Sequence, residues 1–243
     1  MNPERFLEAL ETVLIEERNR EGIGRLAEKT VHATLKLYFE PDRSCHEVKV
    51  GSLVADVKNE GEIIEIQTGS FTPLRRKLEA FLPEYAVRVV YPMAYTRRIV
   101  WIEKDGTLSA PHKSPVKRQV SRAFAELIRI LPYLTHENFT FHIVLMDLDE
   151  YRLLSKNGGK GRGTERYERM PTALREEIVC RKPEDYLALL PDSLPEEFDA
   201  KTFSKVTRLK GHALSGALKV LLTLGLYTRE REGREAYIYK RSL

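Results

Sequence analysis

Cysteine is almost missing from this chain. Cys45 and Cys180 are its only thiols, and they lie far apart. That spacing excludes both a disulfide framework and a cysteine-based metal site. No apolar run approaches the length of a membrane span, and no apolar N-terminal segment follows a basic one, so the expected partners include no membrane. The cytoplasm is the expected compartment. Internal repeats are absent too, which excludes solenoids and propellers. What remains is ordinary for a soluble globular protein: 243 residues, 42% hydrophobic and 31% charged. That length holds one large domain, or a medium domain with a small one.

The segment Val54–Thr68 carries the strongest chemical signal. Ile63, Glu65 and Gln67 alternate with Ile64, Ile66 and Thr68, so Glu65 and Gln67 share one face of a strand. A two-residue turn at Glu60–Gly61 would set Asp56 opposite Glu65, and opposed residues point the same way. Side-by-side carboxylates repel unless a cation lies between them. Hard oxygen ligands at that separation suit magnesium, with manganese as a substitute.

An Asp, a turn, then Glu-x-Lys on the next strand is the core of the PD-(D/E)xK nucleases, and this chain resembles that superfamily. Asp56 matches the Asp and Glu65 the Glu, while Gln67 stands where Lys is usual. A helix over Ile23–Tyr38 would supply Glu28 as the upstream acid. A second helix is expected over Thr72–Phe81, from Pro73, Leu74, Leu78 and Phe81, and a buried strand over Val87–Tyr91. This order covers residues 20 to 92. It implies an α/β fold, restriction-endonuclease-like, with a mixed β-sheet flanked by helices. It also implies that Asp56, Glu65, Glu28 and the carbonyl of Ile66 hold Mg2+, while Gln67 positions the attacking water. A neutral amide orients water but adds no positive charge and cannot act as a base.

Charge is distributed unevenly. Residues 201–243 hold ten Lys/Arg against three Asp/Glu, a net +7, and the remainder nets −3. A basic appendage on a slightly acidic body suits nucleic acid. A helix started by Asp199 carries Ala200, Phe203 and Val206 at helical spacing. Gly211 breaks it, and a second helix spans His212–Leu224, with Gly225 closing it. A basic hairpin follows to Tyr239. This pattern resembles a winged helix, whose three-helix core Pro183–Leu190 would complete. It implies a recognition helix presenting Lys210, His212, Ser215 and Lys219 to duplex DNA, with Arg229, Arg231 and Arg234 at the wing. A packing module without DNA contact is the competing reading.

The middle of the chain is less informative. A strand is expected over Arg97–Ile102, leading to a turn at Lys104, then a helix over Val120–Leu131 and a strand over Phe139–Met146. Tyr91-Pro92-Met93 reads as a strand terminator. Lys156–Gly163 is a basic, Gly-rich loop without phosphate-loop spacing. His32 lies one turn after Glu28 and reads as structural, as Glu47, Lys49 and Lys58 read as surface charges. The expected organisation is therefore a nuclease-like domain (1–155), a basic loop and linker (156–180) and a winged-helix DNA-binding domain (181–243). The expected function is metal-dependent hydrolysis of DNA phosphodiesters, with a homodimer favoured if both strands are cut. A DNA-binding protein without catalysis and a ligand-sensing transcription regulator are the alternatives.

Overall fold

The computed structural model describes residues 1–19, 29–103, 105–154, 164–231, 233 and 235–242. Among these, seven strands form one mixed sheet in the order β1-β2-β3-β4-β6-β7, with β5 paired to β4. They are β1 (His46–Val50), β2 (Leu53–Lys58), β3 (Ile63–Ile66), β4 (Val87–Ile102), β5 (His112–Lys117), β6 (Phe139–Leu154) and β7 (Thr164–Cys180). The pairs β1–β2, β2–β3 and β6–β7 are antiparallel, whereas β3–β4 and β4–β6 are parallel.

Helices cover both faces. On one, α1 (Pro3–Asn19) and α2 (Lys29–Phe39) enclose Phe6, Leu35, Val57, Ile64, Ile66, Val90, Val144 and Met146. On the other, α3 (Leu74–Phe81) and α4 (Phe124–Leu127, flanked by 3₁₀ turns) enclose Ile63, Leu78, Val89, Phe124, Phe141 and Leu145. The strictly alternating β3 thus feeds two cores at once, and all four of its residues are buried.

The long strands differ from the sequence expectation. β4 runs 16 residues straight through Tyr91-Pro92-Met93. β3 pairs with it only as far as Val90, where the Gln67 N–H donates to the Val90 carbonyl at 2.8 Å. Pro92 has no N–H to extend that ladder. It therefore ends the β3–β4 pairing without ending β4, which continues beside β6. Residues 164–180, expected as linker, form the edge strand β7. Its register against β6 shifts three times. Those bulges break the period-two pattern that would have revealed it. Pro171 is tolerated because β7 has a free edge. The Lys156–Gly163 loop lies outside the described residues.

Beyond β7, β8 (Glu197–Asp199), β9 (Tyr227–Glu230) and β10 (Ile238–Arg241) make a small antiparallel sheet, β8-β10-β9, beside α5 (Ala200–Thr207) and α6 (Gly211–Thr223). Asp199 caps α5 by accepting from the Thr202 N–H at 2.7 Å. Pro183–Leu189 is a 3₁₀ helix that packs mainly on β7 and on the turn before α4. α4 and the turn after it pack on α6, where Gly216 lies against Ile128. A Cβ at Gly216 would lie 3.3 Å from the Ile128 side chain. The hydrophobic core runs unbroken from Phe141 in the large sheet to Phe203 and Leu221 in this C-terminal group.

Candidate active site on the β2–β3 hairpin

Asn59 builds the turn that sets this site. Its N–H donates to the Glu62 carbonyl at 3.2 Å, and its side-chain oxygen accepts from the N–H groups of Gly61 and Glu62. The resulting register pairs Val57 with Ile64 and Lys58 with Ile63. One step further along come Asp56 and Glu65. There the Asp56 side chain takes over, and its Oδ2 accepts from the Ile66 N–H at 2.7 Å. The N–H and carbonyl of one strand residue leave on the same side, so the Ile66 carbonyl also faces β2.

Two helices complete the cluster. From α2, His32 Nε2 lies 3.2 Å from Asp56 Oδ2. From α3, the Lys77 ammonium donates to Glu65 Oε2 at 2.7 Å and lies 3.9 Å from Asp56 Oδ1. Glu65 is only 2% exposed, and its other oxygen, Oε1, is buried without a hydrogen-bond partner. Burial and the neighbouring Asp56 charge push the Glu65 carboxyl up to about 7, against the pull of Lys77. Burial acts the same way on Asp56, but His32, the Ile66 N–H and Lys77 outweigh it and hold that carboxyl below its ordinary range. One carboxylate is thus firmly ionised beside another poised to lose or keep its proton.

Glu28 lies outside the described residues. Gln67 does not reach toward the carboxylates; its amide donates to the Ser70 carbonyl at 2.8 Å and closes the turn into α3. The cation beside the carboxylates is Lys77, which sequence reading missed. The signal was there: Leu74, Lys77, Leu78 and Phe81 follow the i, i+3, i+4, i+7 spacing of a buried helix stripe. A lysine inside that stripe must find a buried partner or run its stem to a polar edge. Among the described residues, no three His, Cys, Asp or Glu side chains converge as a metal centre. The donor set still fits a hard cation, because Asp56, Glu65 and the Ile66 carbonyl offer oxygens and one of them, Oε1, is buried and unsatisfied.

A family model described as a domain of unknown function, DUF8091, matches residues 29–181, from the start of α2 to the end of β7. The chain belongs to the DUF8091 family. Asp56, Glu65, Lys77 and His32 all fall inside the DUF8091 domain, and the C-terminal group falls outside it. A protein of Treponema pallidum (strain Nichols), described as uncharacterized, is 31% identical over 137 residues, covering 56% of this chain and 55% of that relative. The chain spans about half the length of that curated relative. No solved structure matches. No described helix in or beyond the DUF8091 domain is long and apolar enough to cross a membrane.

Outside the domain, the expected DNA-contacting residues are spread over two surfaces. Lys210 precedes α6, and His212, Ser215 and Lys219 share its exposed stripe. Arg229 and Arg231 stack on Tyr237, with guanidinium carbons 4.3 and 5.1 Å from the ring centroid. Arg234 lies outside the described residues.

Proposed function

We propose that this protein is a metal-dependent nuclease of the PD-(D/E)xK type, hydrolysing DNA phosphodiesters at the β2–β3 hairpin. The observation that carries this reading is the convergence of Asp56 and Glu65 with Lys77, which brings from α3 the ammonium that Gln67 cannot supply. Asp56, Glu65 and the Ile66 carbonyl would hold Mg2+ or Mn2+, with Glu28 as a further acid. The ion would supply Lewis acidity toward a phosphate oxygen and toward water. Lys77 orients the attacking water and neutralises charge gathering on the phosphate. His32 fixes the Asp56 carboxylate. Water adds to phosphorus and the bond to the leaving sugar oxygen breaks, with the proton passing to solvent or to that oxygen.

In the same reading, β8, α5, α6 and the β9–β10 hairpin form a winged helix, with α4 in the place of its third helix. That module would bring the hairpin to DNA, and a homodimer would allow both strands to be cut.

A specific observation favours a second reading, a DNA-binding protein without catalysis. Lys77 already neutralises Glu65, and no three-residue metal cluster exists among the described residues. Divalent-ion binding separates the two. Calorimetric titration with Mg2+ and with Mn2+ is expected to show a binding site that disappears in Asp56→Ala and in Glu65→Gln, while near-UV circular dichroism stays unchanged. Absence of binding in the natural chain, or binding that survives both substitutions, would leave only the second reading.

A further inference from the structure

A large groove among the described residues lies away from the hairpin. It runs between α6 and the face made by α3, α4 and the turn after α4, with a volume of about 850 Å³. One wall is Arg75 and Arg129; the other is His212, Ser215 and Lys219. Glu126 also lines it but is spoken for: it pairs with Arg129 at 3.0 Å and accepts from the Phe71 N–H. Arg75 and Lys219 are exposed and have no side-chain ion pair or hydrogen bond among the described residues. Two uncompensated cations facing across one groove repel each other. Their arrangement makes sense when an anion lies between them.

We propose that this groove holds one sugar-phosphate backbone of duplex DNA, a deduction that rests on the nucleic-acid reading above. Three features choose that occupant. Fixed cations stand on both walls, Arg75 and Arg129 on one and Lys219 on the other, which suits an extended polyanion better than a single small anion. Its lining includes Ile128, Leu131 and Pro132 but no Phe, Tyr or Trp ring. Proteins that hold single strands use aromatic platforms on which splayed bases stack. A groove without them fits a backbone whose bases stay paired.

The third feature is the way α6 is held. Its Gly216 side is pressed on Ile128, and Ala217, Val220 and Leu221 are buried, while His212, Ser215 and Lys219 lie along its exposed stripe. α6 is therefore one wall of a groove and not a free-standing reading helix. Arg75 and Arg129, which the sequence did not single out, become backbone-positioning residues. Arg75 and Lys77 lie two positions apart on α3, so they leave the helix on roughly opposite sides. The groove and the hairpin site thus flank one helix, about 10–12 Å across.

The test is fluorescence anisotropy of the full chain with a labelled random-sequence duplex in EDTA, titrated at several salt concentrations. Arg75→Ala/Lys219→Ala is expected to lower the salt slope of log K by about 2, since each lost phosphate contact removes about one unit. Arg75→Glu/Lys219→Glu is expected to abolish binding at moderate salt. Arg43→Ala/Lys49→Ala, at the β1 edge, leaves the slope unchanged. The matching single strand is expected to bind more weakly than the duplex. All these sites are exposed, and thermal melts of each variant verify the fold. An unchanged slope in the groove variants, or equal affinity for the single strand, overturns the proposal. Parallel Mg2+ cleavage assays keep the two ideas apart. Groove-dependent binding without cleavage would sink the nuclease and keep the groove, and cleavage with groove-independent binding would do the reverse.

Discussion

Lys77→Ala is expected to lower metal-dependent DNA cleavage by about 10²–10³-fold, the usual cost of removing one preorganised charge-stabilising group. The reason lies in the geometry. Lys77 Nζ is 2.7 Å from Glu65 and 3.9 Å from Asp56, and the described structure places no other ammonium against either carboxylate. Without it, only His32 and the Ile66 N–H, both on Asp56, offset the two carboxylates, and Glu65 is driven further toward its protonated form, in which it is a poor cation ligand. Gln67→Ala is expected to change the rate far less, because that amide is occupied with the Ser70 carbonyl. Initial rates of plasmid relaxation check both. A larger loss in Gln67→Ala than in Lys77→Ala would return the water-positioning role to Gln67 and make Lys77 a structural counter-ion.

The second large effect is on stability, and it emerges only when two buried groups are separated. The Glu65 carboxyl rises from 4.5 to about 7 through burial and the Asp56 charge. Between those values the folded chain keeps a proton that the unfolded chain has released. This contribution is complete below pH 4.5 and is lost as pH rises through 7, amounting to about 3 kcal/mol. His142 works in the opposite direction. It lies on β6 beneath the Phe39 ring, its Nε2 lacks a hydrogen bond, and burial lowers its pKa from 6.5 to about 4. Glu177, 3.8 Å away, pulls it up, but Arg88 reinforces the fall. Here the unfolded chain holds the extra proton, so stability is present above pH 6.5 and is lost as pH falls toward 4, again by about 3 kcal/mol.

These two slopes oppose each other between about pH 4.5 and 6.5, and Asp56 adds its own loss only at lower pH, below its ordinary 3.8. Urea unfolding in EDTA is therefore expected to give a nearly flat profile for the natural chain. Glu65→Gln should become more stable as pH rises across that window, and His142→Phe less stable. A Glu65→Gln profile parallel to that of the natural chain would mean that Glu65 titrates as an ordinary carboxylate.

The paired carboxylates were legible because their signal is local. A period-two alternation and one Asn-Glu-Gly-Glu turn suffice to set Asp56 against Glu65, and Leu74, Leu78 and Phe81 suffice to draw α3. The Asp199 cap and the Gly225 stop likewise outlined α5 and α6, though the helices begin and end a residue or two from the expected bounds. What escaped depends on contacts between distant segments. Lys77 and Glu65 meet only after α3 folds back over the sheet. Pro92 reads as a terminator until one sees that its missing N–H ends only the pairing with β3, while β4 continues beside β6. β7 reads as linker because its bulges scramble the alternation and a Gly-rich stretch of sequence stands between it and its partner β6. Arg75 and Arg129 come to line one groove only when α6, which begins 136 and 82 residues after them in sequence, closes it across from them.

The most direct test of the proposed chemistry is cleavage of supercoiled and linear DNA by the purified full chain, with Mg2+ and Mn2+ supplied separately and Glu65→Ala run beside it. Cutting that requires the ion and disappears in Glu65→Ala is the expected result. Tight, salt-sensitive DNA binding with no cleavage under either ion, or cleavage undiminished in Glu65→Ala, would contradict a catalytic centre on the hairpin.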